Sequence, residues 1–436
     1  MPKYAILFFV SCFIDYVLVE VLSRVKLERS RKIVLALSVL INLGGLVYFK
    51  YTNFFIDQIN TLAKIFGGDT HKHLKIILPV GISFFTFHKI SYVVDIYRRI
   101  SAPAKNFVQY LLYISFFPQL IAGPIIRFHD IEHQLSKREA TFQRFFDGLF
   151  CFSIGLAKKV LIADSLAGVA DAIFKLTDNG LTTEWAWVGI LAYAFQIYFD
   201  FSGYSDMAIG LAKIFGFDFL ENFNRPYISQ SITEFWKRWH ISLSRWMRDY
   251  LYIPLGGNRV SALRNYFNLF IVFVLSGFWH GASWNFIIWG MIHGSFVIMD
   301  RLFIHKLIKY LPRFVNVALT FLVVLVAWVF FRSKNLDHSL FYLERMFVYH
   351  SYVDVGRYIP RSNIMQNYSL FAFTLATLLC FVPVLPLIGR YFSQENIEKK
   401  FKLAPRLQFG LTLFMLFLSV LTLATDSYKA FIYFRF

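Results

Sequence analysis

Residues Asn265 to Met299 read NYFNLFIVFVLSGFWHGASWNFIIWGMIHGSFVIM, a run of 35 residues without Asp, Glu, Lys or Arg. One upright helix needs about 20 mostly apolar residues to cross a bilayer, so this run must tilt, or break and re-enter. Near its middle stands His280, with Gly277 and Gly281 on either side. Glycines there admit a second backbone or a thin ligand, and a polar group at membrane depth is costly enough to suggest function. The rest of the chain has the same character. Of 436 residues, 57% are hydrophobic and 17% charged, against about 25% charged in a soluble domain. A soluble protein is excluded, and 19% aromatic content with 52 phenylalanines excludes a disordered one.

Further apolar runs at 4–22, 33–49, 75–94, 106–126, 185–199, 315–331, 369–389 and 407–425, with a weaker one at 142–163, predict an all-α polytopic membrane protein of about nine to eleven passes. Residues 1–436 form a single integral-membrane domain without a visible repeat. Lys and Arg number 45 against 27 Asp and Glu, a net charge of +18, which suits basic cytoplasmic loops and leaves nucleic acid unneeded as a partner. The basic loop from Arg24 to Lys32 and the one holding Arg98, Arg99 and Lys105 read as cytoplasmic, with the first span's N-terminus outside. The loop at Arg127, Lys137 and Arg138 would then be external, although it is basic. Asp15 and Glu20 interrupt the first apolar run, so it is not a cleavable leader. Cys12, Cys151 and Cys380 sit in apolar runs and supply neither a disulfide framework nor a four-thiolate metal site.

Polar residues within apolar sequence concentrate between Asp200 and His293. Residues 232–251 read as one amphipathic helix, capped by Ser231 and Glu234 and ended by Pro254, Gly256 and Gly257. Lys237, Arg238, Arg245 and Arg248 face away from its apolar side, while His240 lies on that side, one turn from Trp236 and Leu243. His240 and His280 each have a plain alternative, a packing histidine bonded to a carbonyl or a neighbouring helix. His293, between Gly290 and Gly294, ranks below His280. Asp200 and Asp206 flank Ser202-Gly203-Tyr204-Ser205, where the glycine is expected to break a helix. His129 and His133 have the spacing of one helix face, but Asp130 replaces the Glu of a zinc-hydrolase motif and the segment reads as a loop, so no metal is expected. No nucleophile elbow, dinucleotide loop or phosphate-binding loop occurs.

Several longer motifs carry a resemblance: Leu78-Pro79-Val80-Gly81-Ile82-Ser83-Phe84-Phe85, Phe117-Pro118-Gln119-Leu120-Ile121-Ala122-Gly123-Pro124, Tyr198 to Met207 (YFDFSGYSDM), Glu221 to Tyr227 (ENFNRPY), Phe235 to Ser244 (FWKRWHISLS), Tyr252 to Arg259 (YIPLGGNR), Trp279-His280-Gly281 and the final Phe431 to Phe436 (FIYFRF). Together they resemble the membrane-bound O-acyltransferase (MBOAT) family, in particular the bacterial branch acting on alginate, peptidoglycan and teichoic acid. Its members usually begin with one or two more hydrophobic segments than this chain. The resemblance implies transmembrane helices with re-entrant or interfacial ones around a central funnel or tunnel, His280 at the essential histidine and His240 at the second polar position. It makes Trp279, Trp236, Arg238, Asp200 and Asn285 candidate substrate contacts.

It further implies a multi-pass protein of the bacterial inner membrane that moves an acyl group, acetyl by default and D-alanyl as the other option, from acetyl-CoA to an extracytoplasmic glycan. An SGNH-type esterase or transferase outside the membrane would be its partner, and no cofactor is expected to be bound. Arg225, Lys237, Arg238, Arg245 and Arg248 would attract the CoA phosphates or merely anchor the helix at the interface. A buried histidine kept neutral by desolvation suits a general base, worth typically 10²–10⁴-fold in rate. The competing class is a polymer-precursor transporter or flippase with proton-relaying His and Asp. No inverted repeat favours it, and thioester cleavage by the purified protein separates the two.

Overall fold

In the computed structural model the residues described are 2–177, 180–354, 356, 358–382, 405–425 and 431. Among them every regular element is helical. The uncharged 35-residue run breaks. One helix ends at His280 (Ala262–His280), Gly281 is extended with φ −163° and ψ 147°, and the next helix starts at Trp284. The glycines decide this bend. A Cβ on Gly281 would collide with the Phe286 ring, one on Gly277 with the Phe286 carbonyl and one on Gly290 with the Phe273 carbonyl. The two arms therefore close into a hairpin, and His280 stands at the end of a helix about 28 Å long instead of in the middle of a span.

Six helices are long and apolar enough to cross a membrane by length and composition: Tyr4–Arg24, Glu28–Ile65, Ala262–His280, Trp284–Leu307, Arg313–Arg332 and Pro405–Thr425. Two further rods are as long but carry charges paired inside the bundle. One runs from Phe142 to Ile173 through a π-helical stretch at Lys158–Ala163, the other is Thr183–Ile214. Lys158 bonds Asp206 at 2.6 Å, and Lys159 lies 2.6 Å from Asp164 and 3.0 Å from Asp200. Gly203 does not break its helix. It lets the two rods cross: a Cβ on Gly203 would stand 2.6 Å from the Gly155 carbonyl, and one on Gly210 2.5 Å from that of Gly148. Both pairs are seven residues apart along their helices, the repeat of a small-residue seam.

Three other expectations change. Residues 106–126 hold two short helices, Phe107–Ser115 and Phe117–Leu120, too short to cross a bilayer. The chain turns back, so that Arg127 pairs with Asp249, whose carbonyl accepts a bond from Arg98. Arg31 in turn bonds the Leu22 and Tyr97 carbonyls at 3.0 and 2.8 Å. The basic loops around residues 31, 98 and 127 thus gather at one end of the bundle, which removes the conflict over the Arg127 loop. Phe128–Ser136 is a helix and not a loop. Finally, 232–251 is not one helix: it divides into Ile232–Arg238 and Ile241–Met247 at Trp239 and His240. Of the C-terminal motif only Phe431 lies within the described residues, packed on Tyr204.

Candidate active site

The end of the Ala262–His280 helix forms part of a cavity of about 280 Å³. His280 and Trp279 line it together with Lys50 and the turn from Leu78 to Phe84, entered through Gly81. Gly81 has φ +76°, and a Cβ there would sit 2.6 Å from the Leu120 carbonyl, so a larger residue would be strained and would push the turn away. The His280 Nδ1 lies 2.7 Å from the Ser276 carbonyl oxygen one turn back. A carbonyl only accepts, so Nδ1 carries the proton and Nε2 the lone pair. Rings hold the imidazole edge-on: Trp279 and Trp289 each at 4.9 Å, Phe331 at 5.5 Å.

His240 is oriented by another device. Its backbone is left-handed, φ 43° and ψ 54°, a conformation that costs a residue with a Cβ roughly 1–2 kcal/mol and persists only where the surroundings over-determine it. Asn222 supplies that determination. Its Oδ1 accepts from the Ser242 amide at 3.1 Å, the Ser242 hydroxyl at 2.9 Å and His240 Nδ1 at 3.2 Å, while its carbonyl accepts from the Ile241 amide at 3.0 Å. Because a backbone N–H fixes which amide atom is oxygen, His240 also carries its proton on Nδ1. Its Nε2 is buried with no hydrogen-bond partner among the described residues. The two histidines lie within electrostatic reach of one another, although His280 and not His240 is among the described residues lining the cavity.

Residues 104–336 match the family model of the membrane-bound O-acyltransferase family. The chain belongs to that family. It is 50% identical over 303 residues to a probable alginate O-acetylase AlgI of Azotobacter vinelandii, covering 70% of this chain and 60% of that protein. Against a probable alginate O-acetylase AlgI of Pseudomonas putida it is 42% identical over 419 residues, 92% of this chain and 84% of the relative. A peptidoglycan O-acetyltransferase of Helicobacter pylori is 42% identical over 346 residues, 72% of this chain and 65% of that protein. The chain thus spans less than two thirds of the length of two of these three relatives.

The candidate residues divide by whether they reach the His280 cavity. Trp279 lies on the cavity wall, stacked on Phe87 at 4.9 Å. Trp236 instead donates its Nε1–H to His293 Nδ1 at 3.2 Å, which leaves the proton of that third buried histidine on Nε2, the opposite tautomer to His280. Asn285 donates to the Ser333 carbonyl at 3.0 Å and ties the hairpin to the neighbouring Arg313–Arg332 helix. Asp200 is engaged by Lys159. Arg238 is held by Glu234 at 2.9 Å and the Asn224 carbonyl at 3.2 Å, and Arg248 by Asp249 at 2.7 Å. None of Trp236, Asn285, Asp200 and Arg238 is among the described residues lining the His280 cavity. His129 gives its Nδ1 to Asp95 at 2.8 Å, a bond that raises its pKa, and no cluster of metal-ligating side chains occurs among the described residues. Sequence reasoning missed Lys50 and Asn222. Lys50 had a signal, a lone cation ending an otherwise apolar run; Asn222 had none beyond its place in a motif.

Proposed function

We propose that this chain is an O-acetyltransferase of the bacterial inner membrane, taking an acetyl group from acetyl-CoA and passing it toward a hydroxyl of an extracytoplasmic glycan such as alginate or peptidoglycan. An SGNH-type protein outside the membrane would complete the delivery. One observation carries the reading: the 2.7 Å bond from His280 Nδ1 to the Ser276 carbonyl, which leaves a basic Nε2 on a residue that walls a cavity of about 280 Å³. In this role Nε2 removes the proton of the attacking hydroxyl and returns it to the departing thiolate, at a rate advantage of about 10²–10⁴. His240 orients donor or acceptor by hydrogen bonding. The basic end of the bundle with Arg31, Arg98 and Arg127 faces the cytoplasm, so the His280 end of its helix faces outward, toward the glycan.

The test is release of free CoA from acetyl-CoA by purified protein, together with glycan acetylation in cells. His280→Gln keeps the hydrogen-bonding shape but accepts no proton at neutral pH and is expected to abolish both signals with expression unchanged; His240→Ala is expected to weaken them less. Wild-type turnover in the Gln variant returns His280 to a packing role. A wild-type protein that transports polymer precursor and cleaves no thioester is a transporter instead.

A further inference from the structure

A helix ending at His280 leaves four backbone carbonyls without intrahelical partners. All four are accounted for, and three of them by two side chains more than 200 residues away in sequence. The Gly277 carbonyl accepts from the Gly281 amide. The Phe278 carbonyl takes the Tyr51 hydroxyl at 3.0 Å, and Lys50 Nζ donates to the Trp279 and His280 carbonyls at 2.6 and 3.0 Å. Lys50 and Tyr51 reach them from a π-helical turn, Val47–Tyr51, inside the long Glu28–Ile65 rod, a distortion frequent at functional sites. The cap alone does not explain a lysine. An ammonium carries three N–H groups, and the third is 3.5 Å from the Ser83 hydroxyl, too long for a good bond. No carboxylate pairs with Lys50 among the described residues, and its charge hangs 5.9 Å over the Trp279 ring. A cation inside a membrane protein balanced only by dipoles is costly, and this one shares the cavity wall with His280.

We propose that Lys50 is the electrophilic catalytic residue of this cavity, its third N–H turning from Ser83 to the oxyanion that forms when acyl transfer begins. This rests on the acyltransferase reading above. The acceptor hydroxyl oxygen bonds to the thioester carbonyl carbon while its proton passes to His280 Nε2. The carbonyl π electrons move to oxygen, and that oxyanion is stabilised by the ammonium, which stays protonated. Collapse expels the thiolate, which takes the proton back from His280. Ester and thiol result, with no other reactant. A fixed cation at the position of developing charge is worth more than one that stabilises the ground state as well.

The experiment compares Lys50→Gln, which keeps donors for the carbonyls but no charge, with Lys50→Arg, which keeps both, in the full chain reconstituted in lipid nanodiscs, using acetyl-CoA as donor and free thiol as readout. The expected result is a fall in kcat of about 10²–10³ in Lys50→Gln, with the KM for acetyl-CoA within threefold, an unchanged melting temperature, and recovery of at least tenfold in Lys50→Arg. Lys50→Gln within threefold of wild-type kcat, or a loss that follows the melting temperature and is not recovered by Arg, overturns the inference. Loss in Lys50→Gln with normal turnover in His280→Gln supports Lys50 and refutes only the His280 base. Loss in His280→Gln alone refutes only Lys50.

Discussion

Replacing Asn222 by Ala removes the clamp that holds His240. The side chain is 1% exposed, so its partners cannot turn to water. Four bonds disappear: Oδ1 with the Ser242 amide at 3.1 Å, the Ser242 hydroxyl at 2.9 Å and His240 Nδ1 at 3.2 Å, and Nδ2 with the Ser205 hydroxyl at 3.1 Å. The Ser242 hydroxyl, which donates to Oδ1, can rotate to another acceptor, and the Ser205 oxygen, which accepts from Nδ2, loses only that donor. The Ser242 amide and the imidazole N–H cannot rotate away, and each buried unsatisfied donor costs about 1–3 kcal/mol. Release of the left-handed His240 backbone returns roughly 1 kcal/mol. The net loss is on the order of 1–5 kcal/mol, which lowers the melting temperature by roughly 2–10 °C. Thermal unfolding in detergent, followed by tryptophan fluorescence, measures it. Activity should fall further than stability, because freed Nδ1 lets the ring exchange tautomers and turn. An Asn222→Ala protein with wild-type melting temperature and wild-type thioester turnover would refute the view that Asn222 holds the His240 turn.

Two further outcomes follow from packing and charge. Gly203→Val puts a branched side chain 2.6 Å from the Gly155 carbonyl, where the backbones cannot part cheaply, whereas Gly45→Val meets nothing within 4 Å; the first should lose most monodisperse protein on size exclusion and the second almost none, and equal yields would remove the seam as a determinant of the fold. Glu221 lies in the loop after the Thr183–Ile214 rod, and burial, followed by the charge of Asp206, pushes its carboxyl up to about 7 from 4.5. The folded state then holds a proton that the unfolded state has lost, so stability declines as pH rises from 4.5 through 7, by an order of 2–3 kcal/mol. Glu221→Gln should therefore raise the melting temperature at pH 8 and leave it nearly unchanged at pH 4.5, and a shift of the same size at both would contradict the assignment.

Much was legible in the sequence because the governing quantities are one-dimensional. Whether a run of residues avoids water depends on its composition, so 57% hydrophobic content and long uncharged runs sufficed for an all-helical membrane protein. The motif Trp279-His280-Gly281 marked a histidine that the structure places on a cavity wall. What composition could not tell was whether an apolar segment meets lipid or protein, since both reward the same residues. Residues 106–126 are as apolar as a span yet fold into two short helices packed within the bundle.

The bends were hidden for a related reason. Periodicity carries one helix from 232 to 251, but the left-handed turn at His240 is imposed by Asn222, 18 residues earlier in the chain, through bonds that no local pattern encodes. Gly203 reads locally as a helix breaker, and only the approach of Gly155 turns it into a crossing point in an unbroken helix. Lys50 shows the same division most plainly. Its residue type was written in the sequence, but its meeting with the carbonyls of Trp279 and His280, 229 and 230 residues away, exists only because the Glu28–Ile65 rod packs against the end of the hairpin. Burial is a property of segments and can be read along the chain, while the geometry of a site is a property of contacts between segments and is decided by the tertiary fold.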